Sequence, residues 1–353
     1  MNCIFRLFCL IVSLLFAGNL FGQQKNNYTN EIDSLIQIIT VRPFNGVILI
    51  AQDGKTKYSK AYGYSDFDKK IPIALNDQFV IMSNSKQITA VLVLQEVDKG
   101  HIHLQSAIKK YLPGLKQSWA DTVTVHHLLN HTCGIVGLDE PLAFRPGSQF
   151  KYSDINYMLL GKIIESVTKD SYQEKANELF KKCGMKNTFV PNNNSLQRLI
   201  KGYGYSKDNV RNEVNRIVIA KENFPSAGVV TTANDLTIWD RKLHNNGLLK
   251  KSTYNQMISY SIKAQHNAFG DKEIGYGYGI RINDLEKIKE YGHTGYGPNQ
   301  GFTSLNVYYP ETKTSVIVLE NQGYEDFDIA YYFESRIRQI IKQSSLMNKN
   351  NDQ

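Results

Sequence analysis

A chain of 353 residues, 42% hydrophobic and 21% charged, is long enough for a sizeable core and for about two domains, or one large domain with an inserted lobe. Its formal net charge of +8 comes from lysines and arginines scattered along the chain, and no basic stripe interleaved with aromatics marks a nucleic-acid surface. Four cysteines are too few for a disulfide framework, and Cys3 and Cys9 fall in the first ten residues.

Residues 1–23 (MNCIFRLFCLIVSLLFAGNLFGQ) have the layout of an export signal: Arg6, an apolar stretch over 7–21, then Gly22-Gln23 as a small-residue cleavage region. The stretch falls short of the ~20 residues that span a bilayer and contains Asn19, so cleavage is expected. The mature chain is then periplasmic or secreted, with no stable membrane span. Cys133 and Cys183, the two cysteines left, are expected as buried thiols.

Residues 31–40 have helical spacing. Residues 44–50 (FNGVILI) and 55–63 read as a hairpin across Asp53-Gly54. A helix starts at Ser83 and stops at Gly100; from Ile88 onward it is apolar on nearly every side, as a helix buried inside a domain would be. Further helices are predicted over 107–112, 125–131, 156–169, 172–182 and 235–245. Strands follow at 277–282, 287–293, 301–309 and 314–320, then a helix over 330–341 and a polar tail, 344–353, expected to be disordered. The expected class is α+β: a mainly antiparallel sheet built from residues 24–82 and 225–343, flanked by helices, with an inserted all-helical lobe over 83–224. The crevice between the two parts is the natural place for a site.

The oily helix raises a chemical question, because its first turn carries Ser83 and Lys86. Residues three apart share a helix face, so hydroxyl and amine can touch. The free N–H groups of a helix start steady an anion. Partial burial lowers a lysine pKa, and a neutral amine can take the serine proton that keeps the hydroxyl a poor nucleophile. The plain alternative is Ser83 as a helix cap with Lys86 reaching to solvent. Tyr152 and Asp154 stand just ahead of the 156–169 helix, where a tyrosine beside a cationic amine can relay a proton; otherwise they are a partly buried aromatic and a cap. In Gly292-His293-Thr294-Gly295 the glycines let a substrate backbone lie close to a strand, and the histidine can bind a carboxylate or tune a proton.

Ser83–Lys86, Tyr152–Asp154 and His293-Thr294-Gly295, in that order, resemble the three motifs of the serine β-lactamase and penicillin-binding superfamily, in particular the branch with class C β-lactamases, D-Ala-D-Ala carboxypeptidases, D-aminopeptidases and related esterases. The likeness takes in VHHLLNHTCG (125–134), AGVVTTANDLTIW (227–239) and 301–321, and spans residues 44–321. It implies a β-lactamase/transpeptidase-like fold and a serine hydrolase without cofactor. Ser83 would be acylated, with Lys86 as base, Tyr152 as proton shuttle and His293 in the catalytic set. Asp154, Thr294, Gly295 and Tyr296 would contact substrate, and the backbone N–H groups of Ser83 and Tyr296 would form the oxyanion hole.

Two departures narrow the expectation. Asp154 stands where the family often has asparagine, placing a carboxylate beside Lys86. His293 stands where class C β-lactamases usually have lysine, which favours the carboxypeptidase, aminopeptidase and esterase members. D-Ala-type peptides or amides, peptidoglycan-derived ones included, are the expected substrates of a monomer, followed by simple esters and then β-lactams. A slowly acylated penicillin-binding sensor module is the non-enzymatic alternative. His127 and His131 have the spacing of helical metal ligands, but with His126 they find no third ligand at the right distance in sequence, so no metal is expected. No G-x-S-x-G elbow, P-loop or dinucleotide fingerprint occurs.

Overall fold

A computed structural model of the chain describes residues 27–191, 199–208, 210–214, 219–245 and 247–348. The export signal expected at 1–23 and the tail residues 349–353 lie outside the described residues. Eight strands form one sheet: β1 (Gly46–Gln52), β2 (Lys55–Tyr62), β3 (Lys263–His266), β4 (Gly270–Tyr276), β5 (Arg281–Asn283), β6 (Glu290–Gly297), β7 (Phe302–Tyr309) and β8 (Thr314–Glu320). Their order is β2-β1-β8-β7-β6-β5-β4-β3, antiparallel throughout. The first hairpin therefore lies against the last strand, with Gly46 opposite Glu320 and Gln52 opposite Thr314.

Both faces of the sheet are covered, which is why β1 and β8 carry continuous apolar runs, VILIA and VIVL, rather than alternating ones. On β1 and β8, Val47, Leu49, Ile317 and Leu319 face the helical layer. Ile48, Ile50, Val316 and Val318 face the opposite layer, made by α1 (Tyr28–Ile36) and the carboxy-terminal helix Tyr332–Gln343. The helical layer centres on α2 (Ser85–Asp98), buried at every residue from Ser85 to Leu94. Its polar side chains are bonded internally: Ser85 Oγ accepts from Val229 N at 3.0 Å, and Thr89 Oγ1 donates to Pro225 O at 2.6 Å. Helix α3 (Asp154–Thr168) packs against α2.

Several elements differ from the sequence expectation. The helix expected over 107–112 is only a 3₁₀ turn, Ile108–Lys110, because Ala107 is extended and bridged to Thr124, and Pro113 leaves too few residues to nucleate a helix. The strand expected over 277–282 is interrupted: Gly277 N donates to Ile280 O at 2.9 Å and Gly279 adopts φ +67°, so a turn separates β4 from β5. The strand expected to end at His293 continues to Gly297, paired with Phe302 of β7. The tail expected from 344 makes one more ordered turn, Ser345–Met347, with Leu346 and Met347 buried. Cys133 and Cys183 are both free and buried. Among the described residues no helix is long and apolar enough to cross a membrane.

Candidate active site

The short pair Phe79–Val80 with Val230–Thr231 delivers the chain into a 3₁₀ turn, Met82–Asn84, that runs directly into α2. Met82 adopts φ +48°, a left-handed conformation that costs a residue with a Cβ ~1–3 kcal/mol and survives only where the surroundings impose it. They do so here. Ile81 N donates to Val229 O at 3.0 Å, Ser304 Oγ donates to Ile81 O at 2.8 Å, and Asn84 Nδ2 donates to Ser304 Oγ at 2.7 Å. Strand β6 is pressed against the same turn, so that a Cβ on Gly295 would lie 2.1 Å from Ile81 O. Ser83 alone stays half-buried while Met82, Asn84, Ser85 and Lys86 are buried.

Lys86 has no exposed surface. Its Nζ donates to Ser83 Oγ at 2.9 Å, to Asp154 Oδ1 at 2.6 Å and to Ser226 O at 3.1 Å. The same Nζ sits 4.8 Å from the centroid of the Tyr152 ring. Ser83, Lys86, Tyr152 and Asp154 are therefore brought together, from segments nearly seventy residues apart. Burial works to lower the Lys86 pKa, but the negative charges that Tyr152 on ionisation and Asp154 place beside it outweigh burial, and Lys86 lies above its ordinary value. The expectation of a resting neutral amine is thus corrected: Lys86 is an ammonium at neutral pH. Asp154 opens α3 with its side chain 57% exposed, and its Oδ1 is engaged by the lysine.

The strand motif also changes its chemistry. His293 is buried, with Nε2 sharing a hydrogen bond with the Tyr276 hydroxyl at 3.0 Å and Nδ1 accepting from Thr294 N at 2.9 Å. Burial, then the Arg281 and Lys86 cations, hold it well below its usual pKa, so it is neutral and supplies no charge for a carboxylate. Successive strand residues point to opposite faces, and Thr294 accordingly turns its hydroxyl away to His266 Nε2 at 3.0 Å instead of toward substrate. Gly295 makes room for the protein's own Ile81 carbonyl. The Tyr296 hydroxyl donates to the carbonyls of Tyr324 and Glu325 at 2.9 and 3.0 Å.

The cation that the sequence reading missed is Arg281, on β5 opposite Gly292. It is buried, its Nε and Nη1 have no hydrogen-bond partner among the described residues, and its guanidinium carbon lies 5.4 Å from the Tyr276 ring centroid. A guanidinium keeps its charge, and two orphaned buried donors are costly unless something completes them. The signal was visible in YGYGIRI: one arginine inside an otherwise uncharged run. His126 and His127, by contrast, have local partners, the Tyr278 hydroxyl at 2.7 Å and the Thr124 capping box.

The family model described as Beta-lactamase matches residues 40–337. The chain belongs to the Beta-lactamase family. That family is one of serine hydrolases, and the α+β fold described above is its fold. Within the Beta-lactamase family the chain is 28% identical, over 335 residues, to Protein flp of Staphylococcus aureus (strain MRSA252), covering 85% of this chain and 64% of that protein. The chain thus spans less than two thirds of that relative's length. It is 25% identical over 338 residues to Penicillin-binding protein 4* of Bacillus subtilis (strain 168), covering 84% of this chain and 73% of the relative. An octameric penicillin-binding protein homologue from Pyrococcus abyssi superposes with a TM-score of 0.76 at 24% identity, over 91% of this chain and 78% of that one. A D-amino acid amidase from Ochrobactrum anthropi SV3 gives 0.76 at 21% identity, over 90% and 99%.

Proposed function

We propose that this protein is an exported, monomeric serine hydrolase that forms an acyl-enzyme at Ser83 on D-Ala-type peptides or amides. The observation that carries the reading is the fully buried Lys86 Nζ, 2.9 Å from Ser83 Oγ and held there by Asp154. After releasing one proton, Lys86 takes the hydroxyl proton of Ser83, and Oγ attacks the substrate carbonyl carbon. The negative oxygen is met by the N–H groups of Ser83 and Tyr296; one such donor is worth ~3–4 kcal/mol in acyl transfer. When the C–N bond breaks, the leaving amine takes a proton relayed through Tyr152 from the Lys86 side, and water then hydrolyses the ester.

Arg281 supports the choice of substrate. Its buried positive charge, with Nε and Nη1 unpartnered among the described residues, can attract a terminal carboxylate, which neutral His293 cannot. Likeness to Penicillin-binding protein 4*, whose name states that it binds penicillin, supports a site that acylating compounds of that kind can enter. The test is a panel of D-Ala-D-Ala peptides, their C-terminal amides, nitrophenyl esters and a chromogenic cephalosporin. Arg281→Gln should raise KM for the free acids about 10- to 100-fold and leave esters and amides within about threefold. A uniform effect across the panel refutes the carboxylate assignment. A fluorophosphonate should label the protein, and label that persists in Ser83→Ala refutes the nucleophile.

A further inference from the structure

His131 takes no part in the chemistry above, yet its geometry is unusual. It is fully buried and adopts φ +60°, a conformation that a residue with a Cβ rarely occupies. Backbone and ring both grip the segment that carries Tyr152. The His131 carbonyl accepts from Lys151 N at 2.9 Å, while Nδ1 accepts from Ser153 N at 3.3 Å and from Asn156 Nδ2 at 2.9 Å. The residues on either side of Tyr152 therefore hang on this one residue, and Asn156 lies in the first turn of α3, the turn that presents Asp154. The imidazole ring itself lies 4.3 Å from the Tyr152 ring, centroid to centroid, tilted by 36°.

With two donors converging on Nδ1, a neutral ring carries its proton on Nε2, and Nε2 is buried without a partner among the described residues. Burial and the neighbouring Lys86, His293 and Arg281 all act against a charge on His131. An uncharged ring adds no repulsion to the ammonium that Tyr152 overlies. The aromatic surroundings, Phe150, Tyr157 and Tyr276, have ring centroids 5.8, 5.3 and 5.0 Å away and fix the plane of the imidazole.

We infer that His131 is a positioning residue for Tyr152: by holding Lys151, Ser153 and Asn156 it sets the phenol over Lys86 Nζ and aims Asp154 at the same atom. The inference rests on the reading of Tyr152 as the proton shuttle, and it assigns to this buried histidine the job of placing that shuttle. The left-handed backbone at His131 is what allows carbonyl and ring of one residue to reach the same neighbouring strand of chain.

The test separates the acceptor from mere bulk. His131→Phe keeps a ring against Tyr152 and loses the Nδ1 acceptor; His131→Asn tolerates the left-handed backbone and keeps a short acceptor. Against the best substrate of the panel, His131→Phe should lower kcat about 10- to 100-fold with KM within about threefold, and His131→Asn should recover to within about threefold of the parent. In a Tyr152→Phe background, His131→Phe should add less than about threefold, because the two residues act as one unit. Should His131→Phe melt too low to assay, His131→Gln, which also lacks an acceptor at the Nδ1 position, takes its place with the same expectation. An equal loss with and without the Tyr152 phenol, or a rise in KM at constant kcat, overturns the inference while Ser83 still labels. A parent protein that a fluorophosphonate never labels overturns the hydrolase reading and this inference together.

Discussion

Asp154→Asn should make the enzyme more active at neutral pH. Lys86 lies above its ordinary pKa, so its base form is scarce at pH 7 and kcat/KM should climb as pH rises into the alkaline range. Removing the carboxylate takes away one of the two raising influences, Tyr152 being the other, and lets burial, which acts in the opposite direction, count for more. Two unit charges 2.6 Å apart interact by ~1.6 kcal/mol in water and ~6 kcal/mol at an effective dielectric of ~20. Because the Asp154 side chain is 57% exposed, the lower end applies. About 2 kcal/mol corresponds to about 1.5 pH units at ~1.4 kcal/mol per unit. The alkaline limb of kcat/KM, measured with a nitrophenyl ester from pH 5 to 10, should therefore move down by about 1.5 units, a gain of roughly 30-fold at a fixed pH below it. A limb that stays in place refutes the reasoning, and so does a loss above ~100-fold at every pH, which would show that the carboxylate is required.

Gly295→Ala would set a Cβ 2.1 Å from Ile81 O and 2.3 Å from Ser304 Oγ. It should slow Ser83 labelling by ~100-fold or more while costing ~1–3 kcal/mol of stability in a melting experiment; labelling at the parent rate refutes the close contact. Asp240 is buried and accepts from Asn306 Nδ2 at 2.8 Å, and burial pushes its pKa up to about 7. A folded-state value above the unfolded one means stability is full below pH ~4 and falls as pH rises toward 7, and Asp240→Asn should flatten that fall in Tm between pH 5 and 8. A slope identical in parent and variant refutes it. Cys133 and Cys183 are free and buried, so Tm should not respond to reductant and both thiols should alkylate only after denaturation.

The sequence made α2 legible because a run apolar on every side has few places to go but the interior, and a serine and lysine on such a turn stand out chemically. Helices with long amphipathic spacing, such as α3, were legible for the same kind of reason. The 107–112 segment was not, because its fate depends on a bridge between Ala107 and Thr124 that local spacing does not encode. Within the site, the order of motifs pointed to Ser83, Lys86, Tyr152 and Asp154, but the charge on Lys86 depends on a distance between segments far apart in the chain. The same holds for His293, whose neutrality comes from burial beside Arg281, and for Thr294, whose hydroxyl follows strand alternation to His266. Arg281 was hidden because an unpaired guanidinium is recognisable only once the residues packed around it are known.

The twist at Met82 has a bearing on when the protein becomes reactive. No local preference of the chain holds that turn; it is imposed by Val229, Ser304 and Gly295, residues that leave the ribosome well over a hundred positions later. A nascent or threaded chain therefore carries an ordinary, inert serine, and its power to attack switches on only as the last sheet strands dock. Latency of this sort comes with the topology and needs no separate inhibitor.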